Sequence, residues 1–129
     1  MTAAAPGKIL YVEDEPDIRA IARIALETIG GFSVRLCSSG PEALEAVAEF
    51  GPDCILLDVM MPGMDGPAVL EALRGMPQRA TTPVIFMTAK VQHCEISRYK
   101  ALGALDVIPK PFDPVTLAAT VRQILERPR

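Results

Sequence analysis

The chain has 129 residues, half of them hydrophobic, which suffices to bury the core of one domain of ordinary size. Its net charge of −3 argues against a nucleic-acid-binding protein, which would normally present a basic surface. No apolar run approaches the roughly 20 residues that a membrane span needs. Residues 1–7 lack the charged and apolar regions of a signal peptide. We therefore expect a cytoplasmic protein.

The three cysteines, Cys37, Cys54 and Cys94, are scattered without Cys-x-x-Cys spacing. Two of them fall within apolar, strand-like runs. We expect all three to be small buried hydrophobic residues in a reducing compartment, and neither metal ligands nor redox centres.

Strand-like segments recur along the chain, separated by segments with helical spacing of apolar residues. The third is a continuous apolar run, which is typical of a strand buried on both faces. The five predicted strands are Lys8–Val12, Phe32–Cys37, Cys54–Asp58, Pro83–Thr88 and Asp106–Pro109.

A predicted helix follows each strand, and Pro or Gly marks most of its ends. This alternation predicts an α/β protein with a doubly wound, five-stranded parallel sheet and helices on both faces. The helices are expected from Pro16 to a stop at Gly30, from Pro41 to about Phe50, from Gly66 to a stop at Gly75, from Val91 to Leu102, and from an Asp113 N-cap to about Leu125.

Chemically useful side chains follow four of the five predicted strands: Glu13 and Asp14, then Asp58, Thr88 and Lys110. In an open α/β sheet, ligands bind at the carboxyl ends of the strands. The flavodoxin-like order 2-1-3-4-5 makes the first and third strands neighbours. Because adjacent strands lie about 4.8 Å apart, three carboxylates would then converge.

Such a carboxylate cluster repels itself unless a cation lies within it, and all-oxygen ligands favour Mg²⁺. A backbone carbonyl after Asp58 could complete the metal site. Lys110 adds a point charge for a phosphate oxygen, and Thr88 adds a hydroxyl donor. The sequence therefore predicts a phosphoryl-transfer site in which the Asp58 carboxylate is the nucleophile.

Taken singly, these acids have ordinary structural interpretations. Asp14 and Glu15 could simply cap the first helix, and Asp65 and Asp113 are assigned structural roles in a turn and a helix cap. Only the joint placement of the strand-end residues favours the functional interpretation.

Four motifs, taken in order and at their spacing, resemble the receiver domain of bacterial two-component response regulators, of the stand-alone, chemotaxis-regulator-like kind. The resemblance covers about residues 8–125 and implies one receiver domain over residues 1–129, with residues 1–7 as a flexible tail and no output domain. The motifs are Ile-Leu-Tyr-Val-Glu13-Asp14-Glu-Pro, Leu-Leu-Asp58-Val-Met-Met-Pro62-Gly-Met-Asp65-Gly66, Val-Ile-Phe-Met-Thr88-Ala89-Lys90 and Pro109-Lys110-Pro111-Phe112.

The resemblance implies a phosphoacceptor signalling protein that is not a conventional enzyme but catalyses its own aspartyl phosphorylation and dephosphorylation. Asp58 would accept the phosphoryl group from a sensor histidine kinase or a histidine phosphotransfer protein. Asp14, Asp58 and the main-chain carbonyl of Met60 would hold Mg²⁺, and Glu13 would reach it through water.

Thr88 and Lys110 would bind the phosphoryl group, and the resemblance further implies a cis peptide bond between Lys110 and Pro111. Phosphorylation would alter the face formed by the fourth helix, fifth strand and fifth helix, and so regulate or relay to a downstream protein. No nucleic-acid or membrane partner is expected. The cognate kinase, the target, the pathway and the oligomeric state stay open.

Four positions qualify the resemblance. Val107 stands where the family usually carries an aromatic residue that swings inward with the Thr, so the signal would need another packing change near the fourth helix. Glu13 replaces the commoner Asp. Met60 and Lys90 lie at positions that tune dephosphorylation. A bulky, apolar Met60 is expected to hinder attacking water and prolong the phosphoryl state.

Two other classes of protein remain as alternatives. A haloacid-dehalogenase-type phosphatase also uses Asp, Thr, Lys and Mg²⁺ at strand ends, but its second acid would fall at Met60. The other alternative is a docking module that keeps the fold but is not switched by phosphorylation. The complete set of acids together with Thr88 and Lys110 disfavours this alternative, although Val107 is compatible with it.

Overall fold

The computed structural model describes residues 7–89 and 92–127, and strands alternate with helices through them as predicted. The strands are β1 (Lys8–Val12), β2 (Ser33–Cys37), β3 (Cys54–Asp58), β4 (Val84–Thr88) and β5 (Asp106–Pro109). The helices are α1 (Pro16–Arg23), α2 (Gly40–Phe50), α3 (Gly66–Arg74), α4 (His93–Ala101) and α5 (Leu117–Glu126), and a π-helical segment (Ile24–Ile29) continues α1.

The strands form one parallel sheet in the order β2-β1-β3-β4-β5, which confirms the predicted fold class and strand order. Because successive side chains of a strand point to opposite faces, two apolar clusters form, one on each side of the sheet. The central strands β3 and β4 are buried along their whole length, which explains the unbroken apolar run of β3. Within residues 7–89 and 92–127, no helix combines the length and apolar character needed to cross a membrane.

The end of the first helix differs from the prediction. Its apolar periodicity continues to Ile29, but the final six residues adopt π-helical turns in place of α-helical ones. Phe32 N then donates to Leu26 O at 2.9 Å across Gly31, whose positive φ of 78° ends the helix. Apolar spacing reports which face of a helix is buried, and it does not specify which carbonyl accepts each hydrogen bond.

The prediction that Asp113 caps the last helix is wrong. Thr116 occupies the N-cap position of α5, and its side chain makes no capping hydrogen bond. Asp113 organises the turn before the helix, where its Oδ1 accepts from Val115 N at 2.9 Å and its carbonyl accepts from Leu117 N at 3.0 Å. An Asp-Pro pair suits a turn as well as a helix start, so the sequence alone favoured neither outcome.

Side-chain caps begin two other helices. Ser39 Oγ accepts from Glu42 N at 3.2 Å before α2, and Asp65 Oδ1 accepts from Ala68 N at 3.0 Å before α3. The structural role predicted for Asp65 is therefore confirmed. Its cap fixes the end of the loop that begins at Asp58.

The cysteine prediction is confirmed for Cys37 and Cys54, which are buried, and is wrong for Cys94, which is exposed. Cys94 lies in the first turn of α4, a helix in which Tyr99 is the one buried residue. Cysteine was assigned to the interior from its usual preference, whereas most of this helix faces solvent.

Gly30 lies where the π-helical segment meets α5. A Cβ placed on Gly30 would lie 2.4 Å from Ala118 Cβ and 2.8 Å from Leu26 O. We expect Gly30→Ala to lower the free energy of unfolding by about 1–3 kcal/mol, because the helices must move apart. Gly75→Ala is the matched control, since a Cβ there meets its nearest atom at 3.5 Å, and it should change stability by less than about 1 kcal/mol. Equal losses in urea unfolding would contradict the steric explanation.

Candidate functional site

Parallel pairing places Glu13 and Asp58 side by side at the carboxyl edge of the sheet. Val12 of β1 pairs with Leu57 of β3, and the two acids are the next residue of each chain segment. Asp14 follows Glu13, and one carboxylate oxygen from each of the three acids lies within 4.8 Å of the others. The predicted convergence of carboxylates is therefore present in the structure.

Thr88 and Lys110 reach the same edge from β4 and β5. Thr88 pairs with Pro109, and Lys110 N donates to Thr88 O at 2.9 Å, which continues the strand ladder by one residue. The Lys110–Pro111 peptide bond is cis, as the family resemblance implied. Thr88 is buried at its strand end.

The ammonium group of Lys110 lies between two buried carboxylates. Its Nζ is 2.9 Å from Glu13 Oε1 and 3.2 Å from Asp58 Oδ1. Glu13 is fully buried and Asp58 is 3% exposed, whereas the Lys110 side chain is 18% exposed. Because buried charges without a counter-charge are strongly destabilising, Lys110 is the cation that makes this acidic pair tolerable among the described residues.

Burial and mutual charge shift the pKa values in this cluster. Burial raises the pKa of Glu13 to about 7, opposed by its hydrogen bond to Lys110 and reinforced by the charge of Asp58. Burial lowers the pKa of Lys110, but the hydrogen bond to Glu13 and the charges of Asp58 and Glu13 outweigh it, so the pKa of Lys110 is raised overall. Lys110 is therefore firmly protonated, while Glu13 can take up a proton near neutrality.

Backbone contacts fix the position of Glu13. Its N–H donates to Cys37 O at 3.0 Å, and its Oε2 accepts from Glu15 N at 3.2 Å. Arg19, which the sequence analysis did not single out, donates from Nη1 to Glu13 O at 2.7 Å. The signal available in the sequence was the position of Arg19 in the first turn of α1, the helix that follows β1.

The capping interpretation of Asp14 and Glu15 does not describe the structure well. Glu15 is the residue at the N-cap position of α1, but its side chain makes no capping hydrogen bond. Asp14 is half-buried and turns its carboxylate towards Glu13 and Asp58. The structure therefore places Asp14 with the acidic cluster.

The loop after Asp58 returns tightly to its own strand. Gly66 N donates to Val59 O at 2.9 Å, and a Cβ on Gly66 would lie 2.8 Å from Asp58 O. Only glycine fits this close approach without a shift of the backbone. Met60, two residues after Asp58 in this loop, is 66% exposed.

The sequence analysis did not single out Tyr11, which lies beside the acidic cluster. Tyr11 is fully buried, and its hydroxyl has no hydrogen-bond partner in the described structure. Tyr11 precedes Glu13 by two residues on the same face of the sheet. Burial, and then the charges of Glu13 and Asp58, raise its pKa, so the hydroxyl keeps its proton beneath the acidic cluster. The signal available in the sequence was the two-residue spacing of Tyr11 and Glu13, which places both side chains on one face of the sheet.

The donor set suits a hard divalent cation. Three carboxylate oxygens converge within 4.8 Å, and Asp14 among these acids is only partly buried. Mg²⁺ takes one or two carboxylates together with carbonyl and water oxygens, a demand that these residues can meet. A buried carboxylate beside a cation site, a lysine and a hydroxyl can carry out phosphoryl transfer.

Comparison with known proteins agrees with this chemistry. The family model described as "Response regulator receiver domain" matches residues 9–122. The chain is 38% identical over 119 residues to the transcriptional regulatory protein CseB of Streptomyces avermitilis, covering 92% of this chain and 49% of CseB. It is 38% identical over 120 residues to the DNA-binding response regulator MtrA of Mycolicibacterium smegmatis, covering 93% of this chain and 51% of MtrA. The chain thus spans about half the length of these curated relatives.

Solved structures show the same architecture. The chemotaxis protein CheY4 of Vibrio cholerae superposes with a TM-score of 0.86 at 32% identity, over 93% of this chain and 99% of that one. A BeF₃-activated DrrB receiver domain superposes with a TM-score of 0.78 at 27% identity, over 95% of this chain and 99% of that one. Both likenesses extend over nearly the whole chain.

The titration of Glu13 should make stability depend on pH. Its pKa is about 7 in the folded protein and 4.5 at its ordinary value, which we assign to the unfolded chain. Because the folded pKa is the higher one, its contribution to stability is fully present below pH 4.5 and is lost as the pH rises through 7. We expect this loss to be about 1–3 kcal/mol in metal-free protein.

Glu13→Gln removes the titrating group but keeps an oxygen that can accept from Lys110. The free energy of unfolding of both proteins should be measured by urea unfolding in EDTA at several pH values. The difference between them isolates Glu13 from all other titrating groups. A wild-type protein no more sensitive to pH than the variant would show that the Glu13 pKa is not raised.

Proposed function

Because this chain belongs to the response regulator receiver domain family, whose general function is phosphoacceptor signalling in two-component systems, we propose that Asp58 is its phosphoacceptor. The observation that carries the proposal is the buried Asp58 carboxylate at a strand end, 3.2 Å from Lys110 Nζ and grouped with Glu13 and Asp14. A carboxylate held there is a nucleophile with the charges for phosphoryl transfer already around it.

In the proposed reaction, a carboxylate oxygen of Asp58 attacks the phosphorus of a phosphohistidine on a sensor kinase or phosphotransfer protein. The new O–P bond forms as the P–N bond breaks, and the imidazole nitrogen keeps the bonding electron pair. Lys110 Nζ, already in contact with Asp58, binds one oxygen of the transferred group, and the Thr88 hydroxyl donates to another. We propose that the same residues assist hydrolysis, so that the receiver catalyses both steps.

Mg²⁺ would supply additional positive charge to the transferring phosphoryl group when bound. Direct ligands in this proposal are Asp14, Asp58 and the main-chain carbonyl of Met60, with Glu13 acting through a water molecule. The half-buried position of Asp14 and the exposed position of Met60 favour this arrangement, because Mg²⁺ retains several waters.

We propose that a downstream protein recognises the face of α4, β5 and α5. CseB and MtrA are described as a transcriptional regulator and a DNA-binding response regulator, and this chain matches about half of each. Direct binding of nucleic acid by the matched half is not part of our proposal, since the chain carries a net charge of −3. A cytoplasmic location likewise stays a prediction.

The alternatives have less support. A phosphatase of the haloacid dehalogenase type needs a second acid at the position of Met60, whose apolar side chain cannot act as a general acid. A docking module without phosphorylation has no use for a buried Glu13, Asp58 and Lys110 cluster, which is costly to keep in a folded protein.

Acetyl phosphate with Mg²⁺ should add the mass of one phosphoryl group to the wild-type protein, as measured by intact-mass spectrometry. Asp58→Asn should show no gain, because an amide is not a nucleophile for this reaction. Asp17→Asn is the matched control, since Asp17 is an exposed acid in the first turn of α1. EDTA should abolish the gain in the wild type by removing the cation. No Asp58-dependent gain, under conditions that label another receiver protein, would favour the docking module.

The phosphoryl group on Asp58 should be long-lived. Met60 is apolar and 66% exposed two residues after Asp58, and we propose that it obstructs an attacking water without orienting it. Lys90, the second position expected to tune hydrolysis, lies outside the described residues. We expect the phosphoryl group on Asp58 to be hydrolysed several-fold faster in Met60→Asn, which offers a hydrogen-bonding amide, than in the wild type. Met60→Leu should leave the rate of hydrolysis unchanged. Loss of phosphoryl label from the wild type within minutes at room temperature would count against the proposed role of Met60.

A further inference from the structure

Helix α4 buries one side chain against the rest of the protein, and an ion pair of 3.6 Å joins its Lys100 to Asp106 of β5. Tyr99 is 2% exposed, while the other residues of α4 are exposed or only partly buried. The position of the helix therefore depends on where the Tyr99 ring lies. A helix that buries one apolar side chain can rotate or shift at little cost in buried apolar surface.

The Tyr99 ring rests on Phe86 of β4. Their ring centroids lie 5.1 Å apart with an interplanar angle of 80°, an edge-to-face arrangement. Both side chains belong to the same apolar cluster, and Phe86 is fully buried. Because protein interiors are closely packed, a displacement of Phe86 must be taken up by the ring that lies on it.

Phe86 also touches the loop that leaves the proposed phosphoacceptor. A Cβ on Gly66 would lie 3.3 Å from Phe86 Cε1, 2.9 Å from Val59 Cα and 2.8 Å from Asp58 O. The edge of the Phe86 ring and the backbone of Asp58 and Val59 thus close in on the same side of Gly66 and leave no room for a methyl group. Movement of this loop reaches Phe86 without any intervening side chain.

Val107 completes the arrangement on the β5 side. It pairs in register with Phe86 and packs, partly buried, against the same cluster. Position 107 therefore offers no ring that could swing, and the aromatic surface lies on α4 instead. The packed contact that leads out of the site runs through helix α4.

We propose that Phe86 and Tyr99 couple the loop after Asp58 to the position of α4, so that phosphorylation of Asp58 is transmitted through this aromatic pair. The inference rests on the proposed phosphoacceptor role of Asp58 and adds its route of regulation. A phosphoryl group on Asp58, with a cation bound by the adjacent loop, changes the contacts of residues 58–66. Phe86 transmits that change to Tyr99, and Tyr99 repositions the exposed face of α4 that a partner would meet.

The test separates binding at Asp58 from the response of α4. Beryllofluoride with Mg²⁺ serves as the phosphoryl mimic, and ¹⁹F NMR of the bound species reports occupancy. Hydrogen–deuterium exchange of residues 93–101, with and without the mimic, reports the helix. In the wild type we expect exchange in α4 to change by at least about fivefold, the lower end of common allosteric couplings.

Four variants locate the route. Tyr99→Leu and Phe86→Leu should still bind beryllofluoride, but the change in α4 exchange should fall below about twofold, where little coupling remains. Tyr99→Phe keeps the ring and should respond as the wild type does. Phe32→Leu is the matched aromatic control, because Phe32 belongs to the cluster on the opposite face of the sheet, and it should also keep the response. Using two substitutions in the pair keeps the test decisive if one of them fails to fold.

Each outcome bears on one of the two proposals. A full α4 response in Tyr99→Leu or Phe86→Leu with beryllofluoride bound would overturn the aromatic route, as would an equal loss in Phe32→Leu. A wild-type protein that binds the mimic without any change in α4 would overturn the route and leave the phosphoacceptor intact. A wild-type protein that does not bind the mimic would overturn the phosphoacceptor proposal and the route that rests on it.

Discussion

The placement of one ammonium group between two buried carboxylates is the constraint on which the rest of this structure depends. Lys110 can reach Glu13 and Asp58 only because β5, β3 and β1 lie in one parallel sheet with their carboxyl ends at the same edge. The fold supplies the backbone positions, and the ion pairs stabilise the charges there. Without the cation, two carboxylates in a low-dielectric environment would repel each other and one would hold a proton.

The sequence predicted the placement of these residues well because strand ends can be recognised in the sequence of a parallel α/β protein. An apolar run that stops at an acid fixes both the strand and the direction from which Asp58 enters the site, and the sheet then brings Lys110 to it. Details that depend on hydrogen-bond partners could not be predicted from the sequence. Examples are the π-helical turns at Ile24–Ile29, the turn organised by Asp113 and the contact of Arg19 with the Glu13 carbonyl. Each depends on which oxygen accepts a hydrogen bond, and apolar spacing carries no information about that.

The site is held in a condition that favours a ligand. Glu13 has a pKa raised to about 7 by burial, and the Tyr11 hydroxyl beneath it has no partner in the described structure. Both are unfavourable terms that the surrounding apolar core must offset. A divalent cation would relieve charge repulsion at this edge, so its binding gains energy from contacts that the metal-free protein lacks. A ligand can shift a conformational equilibrium only when its binding energy differs between the two conformations.

A shift of that kind needs an element with two accessible positions, and α4 meets the requirement better than its neighbours. Helix α5 buries Leu117, Ala118, Val121 and Ile124 against the sheet, so moving it would break an extensive apolar interface. Helix α4 buries Tyr99 alone. The energy available from a single phosphorylation is small compared with the cost of repacking α5, but it is comparable with that of displacing one edge-to-face ring contact. In the proposed mechanism, this physical asymmetry between the two helices directs the response to α4, independently of whether position 107 carries an aromatic residue.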